Sequence, residues 1–389
     1  MKIRLFNNIS DAIYEVLDSR IYKFVKDEGE DYDAAIVRSA KLHDAEFPER
    51  LLAIARAGIG TDNIPIDRCS EAGIVVLNTP GSNANAVKEL VLCGMMLAGR
   101  DIEGSMNWVA AQDKDSDDIA SRVEKDKKVF AGREIAGKTL GIIGLGAIGT
   151  MVANAAIALD MNVIGYDPYL SVESALKLNR AVRIAKTKDE LLKAADFVTI
   201  HIHLTDETRN TIGDKEIRMM KNDAVVLNYA RGGLVDDEAV VQALNEGRLG
   251  HYCTDFPNQA ILGCDKVTAT THIGASTPEA EENSATIAAR HLDTYLRYGN
   301  IKNSVNFPDC DLWFESGYRL CIINRNITNM VGQISAALAG CDMNIEHMLN
   351  RSKGEWAYTI IDTSSRPDDA TVEAIKAIDG VVRVRVIEG

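Results

Sequence analysis

The sequence lacks any excess of positive charge, any cysteine pairing pattern and any long apolar run. Lys and Arg number 43 against 57 Asp and Glu, a formal net charge of −14. That balance excludes nonspecific nucleic-acid binding, points to a cytoplasmic chain, and means that an anionic ligand needs locally placed Arg or Lys. The seven cysteines, at 69, 93, 253, 264, 310, 321 and 341, form no C-x-x-C. They read as reduced packing residues, with neither disulfides nor a metal site implied. The longest apolar run, around Leu90 to Ala98, is too short to span a bilayer. The N-terminus starts directly as a strand, without a secretory hydrophobic segment. No internal repeat or low-complexity tract is visible. The 389 residues, 46% hydrophobic and 26% charged, suit a soluble globular chain of two or three domains.

The chain does have one concentrated glycine pattern, Gly144-x-Gly146-x-x-Gly149. An apolar strand, Thr139 to Ile143, enters it. A helix-like run over 150–159 leaves it, and a second strand, 162–166, ends in Asp167. Gly144 permits the turn, Gly146 lets backbone approach a pyrophosphate, and Gly149 lets the helix pack on the sheet. Ala147, Ile148 and Gly149 open the helix, whose free N–H groups favour that anion. Asp167, 18 residues beyond Gly149, is expected to take the adenine-ribose hydroxyls. An acid there favours NAD over NADP, because it repels a 2′-phosphate.

Six strands alternating with helices from 139 to 270 predict a doubly wound parallel sheet of the Rossmann type. Before it, strands at 3–6, 34–37, 52–55 and 74–77, with helices over 10–18, 44–51 and 84–98, predict a second α/β unit. Residues 101–134 read as a polar helix and linker, with an acidic run at 113–118 and basic residues Arg122, Lys125, Lys127, Lys128 and Arg133. After 318 the order strand, helix, two strands, helix, strand predicts a ferredoxin-like unit. Three polar residues follow strands in the Rossmann unit: Arg231, Asp255 and His272. An arginine there can hold a carboxylate as a bidentate donor, and a histidine can take a hydroxyl proton near neutral pH.

These motifs resemble the D-2-hydroxyacid dehydrogenase family, and within it the D-3-phosphoglycerate dehydrogenases with a C-terminal ACT domain. The resemblance rests on Arg38-Ser39, Arg56 to Gly60 with Asp62-Asn63, and Asn78-Thr79-Pro80. Gly144 to Gly149, Leu204-Thr205, Ala230 to Asp236 and His272 to Thr277 extend it over essentially the whole chain. It implies NAD-dependent oxidation of D-3-phosphoglycerate, a small anionic phosphorylated 2-hydroxy acid, by a homodimer or homotetramer. It implies Arg231 on the substrate carboxylate, His272 as acid/base, and Asp255, Thr205, Ala230 and Gly274 on the cofactor. It also implies Arg38, Ser39, Arg56, Gly58, Gly60 and Asn78 on the substrate. The implied domains are a flavodoxin-like substrate domain (1–89 and 275–312), an NAD-binding domain (90–274) and an ACT domain (316–389). The alternatives are a glyoxylate or hydroxypyruvate reductase of the same family, or a non-catalytic nucleotide-sensing regulator.

Two departures from the family pattern stand out. The family places a Glu after the Asp255 position to pair with the catalytic histidine, whereas this chain reads Asp255-Phe256-Pro257-Asn258-Gln259. A one-residue gap brings Gln259 into register, so Gln259 is expected to orient His272 without supplying charge. In the ACT-like unit the usual Pro-Gly turn is Ile327-Thr328-Asn329. Asn326 and Asn344 match serine-binding positions, and Asn324 stands where the family has His, so serine is a candidate effector.

Overall fold

A computed structural model describes residues 1–25, 29–114 and 117–389. Residues 115 and 116 of the acidic run at 113–118 lie outside the described residues. The chain divides into two compact units, Met1–Ser82 with Pro278–Gly389, and Asn83–Thr277.

The first unit contains two sheets. Strands β1 (Lys2–Phe6), β2 (Lys23–Val25), β3 (Ala34–Val37), β4 (Ala53–Arg56) and β5 (Val75–Leu77) are parallel, in the order β2-β1-β3-β4-β5. The central strands β3 and β4 are almost continuously apolar because both faces of the sheet are covered. The helix Pro278–Tyr298 returns to this sheet and covers one face with Ala285, Ala288, Ala289, Leu292 and Leu296.

Among its described residues the second unit holds seven parallel strands. They are β6 (Thr139–Ile143), β7 (Asn162–Tyr166), β8 (Arg183–Ile184), β9 (Phe197–Ile200), β10 (Ala224–Asn228), β11 (Leu249–Thr254) and β12 (Val267–Ala269). Their order is β12-β11-β10-β9-β6-β7-β8. The strand order reverses at β6, beside the glycine turn, which is where open α/β sheets bind ligands. Separate apolar clusters cover the two faces. Six strands are expected from the sequence; the seventh, β8, is a two-residue edge strand too short to carry a pattern.

The C-terminal strands β13 (Tyr318–Arg325), β14 (His347–Lys353), β15 (Trp356–Thr363) and β16 (Val381–Glu388) form an antiparallel sheet in the order β14-β15-β13-β16. That is the expected ferredoxin-like arrangement, with helices Met330–Gly340 and Asp369–Lys376 on one face. Its other face contributes Cys321, Ile323, Tyr358, Ile360 and Ile387 to the core that also holds Tyr295, Ile301 and Phe307. This shared core is why the sheet belongs to the first compact unit. Arg383 reinforces it by donating to the carbonyls of Leu51, Glu49 and Ala72, and Arg385 by donating to those of Tyr295 and Leu296.

Three local expectations are corrected. Residues 10–18 hold a short 3-10 helix, Asp11–Glu15, in place of an α-helix. Residues 44–51 form no helix; Pro48 lies in their middle, where it lacks the N–H a helix needs and clashes with the preceding turn. A helix not expected from the pattern spans Ile66–Glu71, entered through Pro65. No described helix is long and apolar enough to cross a membrane.

Candidate active site

The glycine turn is built as its spacing requires. Gly144 has a positive φ of 93°, and a Cβ there would lie 2.5 Å from the carbonyl oxygen of His201. A Cβ on Gly149 would lie 2.0 Å from the Gly144 carbonyl oxygen, so the helix Ala147–Ala158 can approach the strand only without one. Gly146 differs: a Cβ there would meet nothing within 4 Å. It faces open space at the helix N-terminus, which carries no side-chain cap. That opening fits a pyrophosphate held by first-turn N–H groups. Asp167 accepts from Leu145 N at 2.9 Å and from Tyr169 N at 2.8 Å, so its carboxylate braces the turn. Each oxygen keeps a second lone pair able to accept from a hydroxyl.

Arg231, Asp255 and His272 come just after β10, β11 and β12, three neighbouring strands of one parallel sheet. At about 4.8 Å between strands, three adjacent strand ends span about 10 Å. Asn228, the last residue of β10, fixes the Arg231 turn. It donates to the Arg231 carbonyl at 2.9 Å and accepts from Ala230 N at 3.2 Å. The Arg231 Nη1 donates to the Ala230 carbonyl at 2.8 Å, and its other guanidinium N–H groups make no bond among the described residues. Asp255 is buried. Its Oδ2 accepts from Gly274 N at 3.0 Å, which ties the His272 loop to the end of β11. Its Oδ1 is enclosed and finds no hydrogen-bond partner among the described residues. An orphaned acceptor here fits a carboxamide donor of a nicotinamide. Burial raises the Asp255 pKa, opposed by the Gly274 N–H and by the charge of His272. His272 is itself exposed, and its ring lies 4.5 Å from that of Phe256. Thr205 caps a self-bonded loop, its N–H donating to Thr208 Oγ1 at 2.7 Å.

In the first unit, Arg38 and Ser39 follow β3, and residues 56–60 follow β4. The Gly58 N–H donates to Thr79 Oγ1 at 2.7 Å, and Asn78 Nδ2 donates to the Ile59 carbonyl at 2.8 Å. Gly58 has a φ of 141°, and a Cβ there would collide with the Arg56 guanidinium, which folds back over it. Gly60 sits in the same turn, partly exposed.

Residues 93–274 match the family described as D-isomer specific 2-hydroxyacid dehydrogenase, NAD binding domain. A D-3-phosphoglycerate dehydrogenase of Escherichia coli is 32% identical over 352 residues, covering 87% of this chain and 82% of that protein. The chain belongs to the D-isomer specific 2-hydroxyacid dehydrogenases. A D-3-phosphoglycerate dehydrogenase of Methanocaldococcus jannaschii is 39% identical over 288 residues, 72% of this chain. The chain spans only about half, 52%, of that relative's length. An NAD+-bound 3-phosphoglycerate dehydrogenase structure from Entamoeba histolytica superposes with a TM-score of 0.61 at 28% identity. It covers 79% of this chain and 98% of that one.

Gln259, expected beside His272, is exposed, and among the described residues no hydrogen bond joins the two. The preceding Asn258 explains this. Its side chain accepts from Ala260 N at 3.0 Å and donates to Asp237, a turn that carries Gln259 outward. Phe256 and Asp255 are among the side chains that meet the His272 segment in this unit. In the C-terminal sheet, Asn324 is buried and donates to the Arg325 carbonyl, with its Oδ1 unpartnered. Asn326 donates to the Gly354 carbonyl, and Asn344 is exposed. The basic residues of 101–134 are solvated or used locally: Lys127 pairs with Glu124, and Arg133 donates to the Asp223 carbonyl.

The sequence reading missed the residues that hold the site. Asn228 and Thr254, buried at the ends of β10 and β11, brace the following loops. Thr254 Oγ1 donates to the Asn228 carbonyl at 3.0 Å and accepts from Phe256 N at 3.1 Å. A polar residue closing an apolar strand is the available signal. His201, beside the glycine turn, bonds Thr199 Oγ1 through Nε2 at 3.1 Å, and its Nδ1 is enclosed without a partner. Burial pushes its pKa down to about 3, so it is a neutral packing group.

Proposed function

We propose that the protein oxidises D-3-phosphoglycerate to 3-phosphohydroxypyruvate with NAD. The observation that carries this reading is the placement of Arg231, Asp255 and His272 after three neighbouring parallel strands, on the sheet edge that bears the glycine turn. Similarity to phosphoglycerate dehydrogenases over most of the chain supports the phosphorylated substrate.

Each residue then has a chemical role. His272 takes the proton of the C2 hydroxyl, a task suited to an imidazole near neutral pH. Arg231 holds the carboxylate through the N–H groups it does not spend on Ala230, and polarises the carbonyl forming at C2. Bound NAD supplies the acceptor for the C2 hydride. Gly146 and the helix Ala147–Ala158 hold its pyrophosphate, Asp167 its ribose hydroxyls, and Asp255 its carboxamide. Arg38 and Arg56 take the anionic phosphate end, with the 57–60 backbone held in shape by Asn78 and Thr79.

The test is NADH production with D-3-phosphoglycerate, D-glycerate and D-lactate, using His272→Ala as control. Turnover confined to the phosphorylated acid supports the reading, turnover of the other acids makes it a general reductase, and NAD binding without turnover makes it a nucleotide-sensing regulator.

The proposal includes a homodimer or homotetramer. Helices Ile102–Ala110 and Ile119–Asp126 bury no residue and expose Met106, Val109, Ile119 and Val123, an apolar face suited to a second copy. Sedimentation of wild type and Val109→Glu tests this; a monomeric wild type overturns it. Serine is the proposed effector, supported by the orphaned Oδ1 of Asn324, and a flat activity response to millimolar serine excludes it.

A further inference from the structure

Arg38 is not waiting with an empty guanidinium. Its Nη2 lies 2.6 Å from Oε1 of Glu281, in the first turn of the helix Pro278–Tyr298. We infer that Glu281 is a specificity-determining residue: its carboxylate occupies the anion-binding end of Arg38 and is exchanged for the substrate's phosphate. The inference rests on the phosphate-binding role proposed above for Arg38.

The backbone around Arg38 is already committed. The N–H groups of Ser39 and Ala40 both donate to Asn7 Oδ1, at 3.2 and 2.5 Å. Asn63 Nδ2 donates to the carbonyls of Arg38 and Ala40, at 3.4 and 2.8 Å. The loop therefore has no N–H to offer a phosphate at these positions, and the guanidinium is the group that can change partner.

The helix turn that carries Glu281 is fixed by its neighbour. One turn along the same helix, Ser284 Oγ lies 2.7 Å from Ser82 Oγ, which lies 3.2 Å from Thr79 Oγ1, the acceptor for the Gly58 N–H. The three hydroxyls are buried. They fix the helix start against the 56–60 turn, so both proposed substrate loops of this unit refer to one helix end. The carboxylate meeting Arg38 is thus a built feature rather than a chance surface contact.

The pair is suited to exchange. Both side chains are more than one-third exposed. An ion pair at that exposure contributes little, because water and salt screen it. A phosphate brings up to two charges and three acceptor oxygens to the same fork, and charge-assisted bidentate bonds are the stronger kind. A singly charged or neutral group at that end of the substrate gains less from displacing Glu281. The carboxylate so favours the doubly charged substrate over its unphosphorylated analogue while weakening the absolute affinity for both.

The experiment compares wild type, Glu281→Gln, Arg38→Gln and the double variant. The first readout is kcat/KM for D-3-phosphoglycerate against D-glycerate. The second is calorimetric titration with inorganic phosphate. Glu281→Gln is expected to bind inorganic phosphate about two- to fivefold more tightly than wild type, the scale of one exposed ion pair. Its KM for D-3-phosphoglycerate falls by a similar factor, and the gain disappears in the double variant. A phosphate affinity unchanged or weakened in Glu281→Gln, or a gain that persists without Arg38, overturns the inference. Absence of turnover with either acid in wild type overturns the functional proposal instead, and the phosphate titration still decides the exchange.

Discussion

Replacing His272 by Asn keeps a polar side chain after β12 but removes the imidazole proposed to take the substrate's hydroxyl proton. We expect kcat to fall about 10²- to 10⁴-fold, the usual contribution of a positioned general base, with NAD affinity within about threefold of wild type. Steady-state kinetics and a nucleotide-fluorescence titration check the two halves of that statement. Gln259→Ala is expected to leave the pH profile of kcat/KM in place, because Gln259 is exposed and makes no bond to His272; a moved profile would return Gln259 to the site. Arg231, Asp255 and His272, the residues proposed for the reaction, could be picked out in the sequence because each is polar and follows an apolar strand, in the order of the strands along the chain. The partner of Arg38 was not. Glu281 is 243 positions away (281 minus 38), and only the return of a helix to the first sheet brings them together.

Elements make a different kind of prediction. Gly149→Ala and Gly146→Ala are the same chemical change, yet they should act oppositely. At Gly149 the new methyl meets the Gly144 carbonyl at 2.0 Å, a fixed backbone atom, so the variant should lose thermal stability. At Gly146 the methyl enters open space, so the variant should melt as wild type does while its NAD affinity falls. Thermal melting and NAD titration of both variants separate these outcomes. Thr79→Val removes the acceptor for a buried N–H. It should cost about 1–3 kcal/mol, read by denaturant unfolding. Strands with a clear apolar run were legible to the residue, as in β6 (Thr139–Ile143) and β7 (Asn162–Tyr166). The failures were local. The stretch 44–51 has apolar residues at helical spacing, but Pro48 forbids the hydrogen bond, and Phe47 instead lies under the Arg68 guanidinium at 4.5 Å. The helix Ile66–Glu71 was announced by Pro65, a residue well placed to begin a helix, but it is too short to show a period.

At the scale of the whole molecule, two half-buried histidines make stability depend on pH. Burial lowers His201 to about 3 and His251 to about 4, from an ordinary value of 6.5. Folded, both stay neutral; unfolded, both take a proton below pH 6.5. Their contribution is therefore complete above pH 6.5 and is lost as pH falls toward 4 for His251 and toward 3 for His201. Each contributes a slope of about 1.4 kcal/mol per pH unit well inside its window. Urea unfolding at pH 7.0 and 5.0 should show the loss, and His251→Gln should reduce it. A second global dependence lies in the C-terminal sheet. Arg319, wholly buried, pairs with Asp362 at 2.6 Å and donates to the carbonyls of Tyr298, Leu312 and Trp313. Asp362→Asn leaves that guanidinium without its counter-charge, and should cost about 3–5 kcal/mol in the same unfolding assay.

The division of the chain also has a consequence in time. The second unit, Asn83–Thr277, is continuous, whereas the first needs Met1–Ser82 together with Pro278–Gly389. During synthesis the parallel sheet β1–β5 emerges first, but the helix that covers it comes almost 200 residues later, in the order of β5 at 75–77 and the helix at 278–298. Through that interval the cofactor-binding unit can close while the older segment still exposes the apolar face meant for Ala285, Ala288 and Leu292. Between these segments the order of emergence and the order of completion are therefore reversed: β1–β5 precede the second unit in the chain, yet their cover, the helix Pro278–Tyr298, follows it.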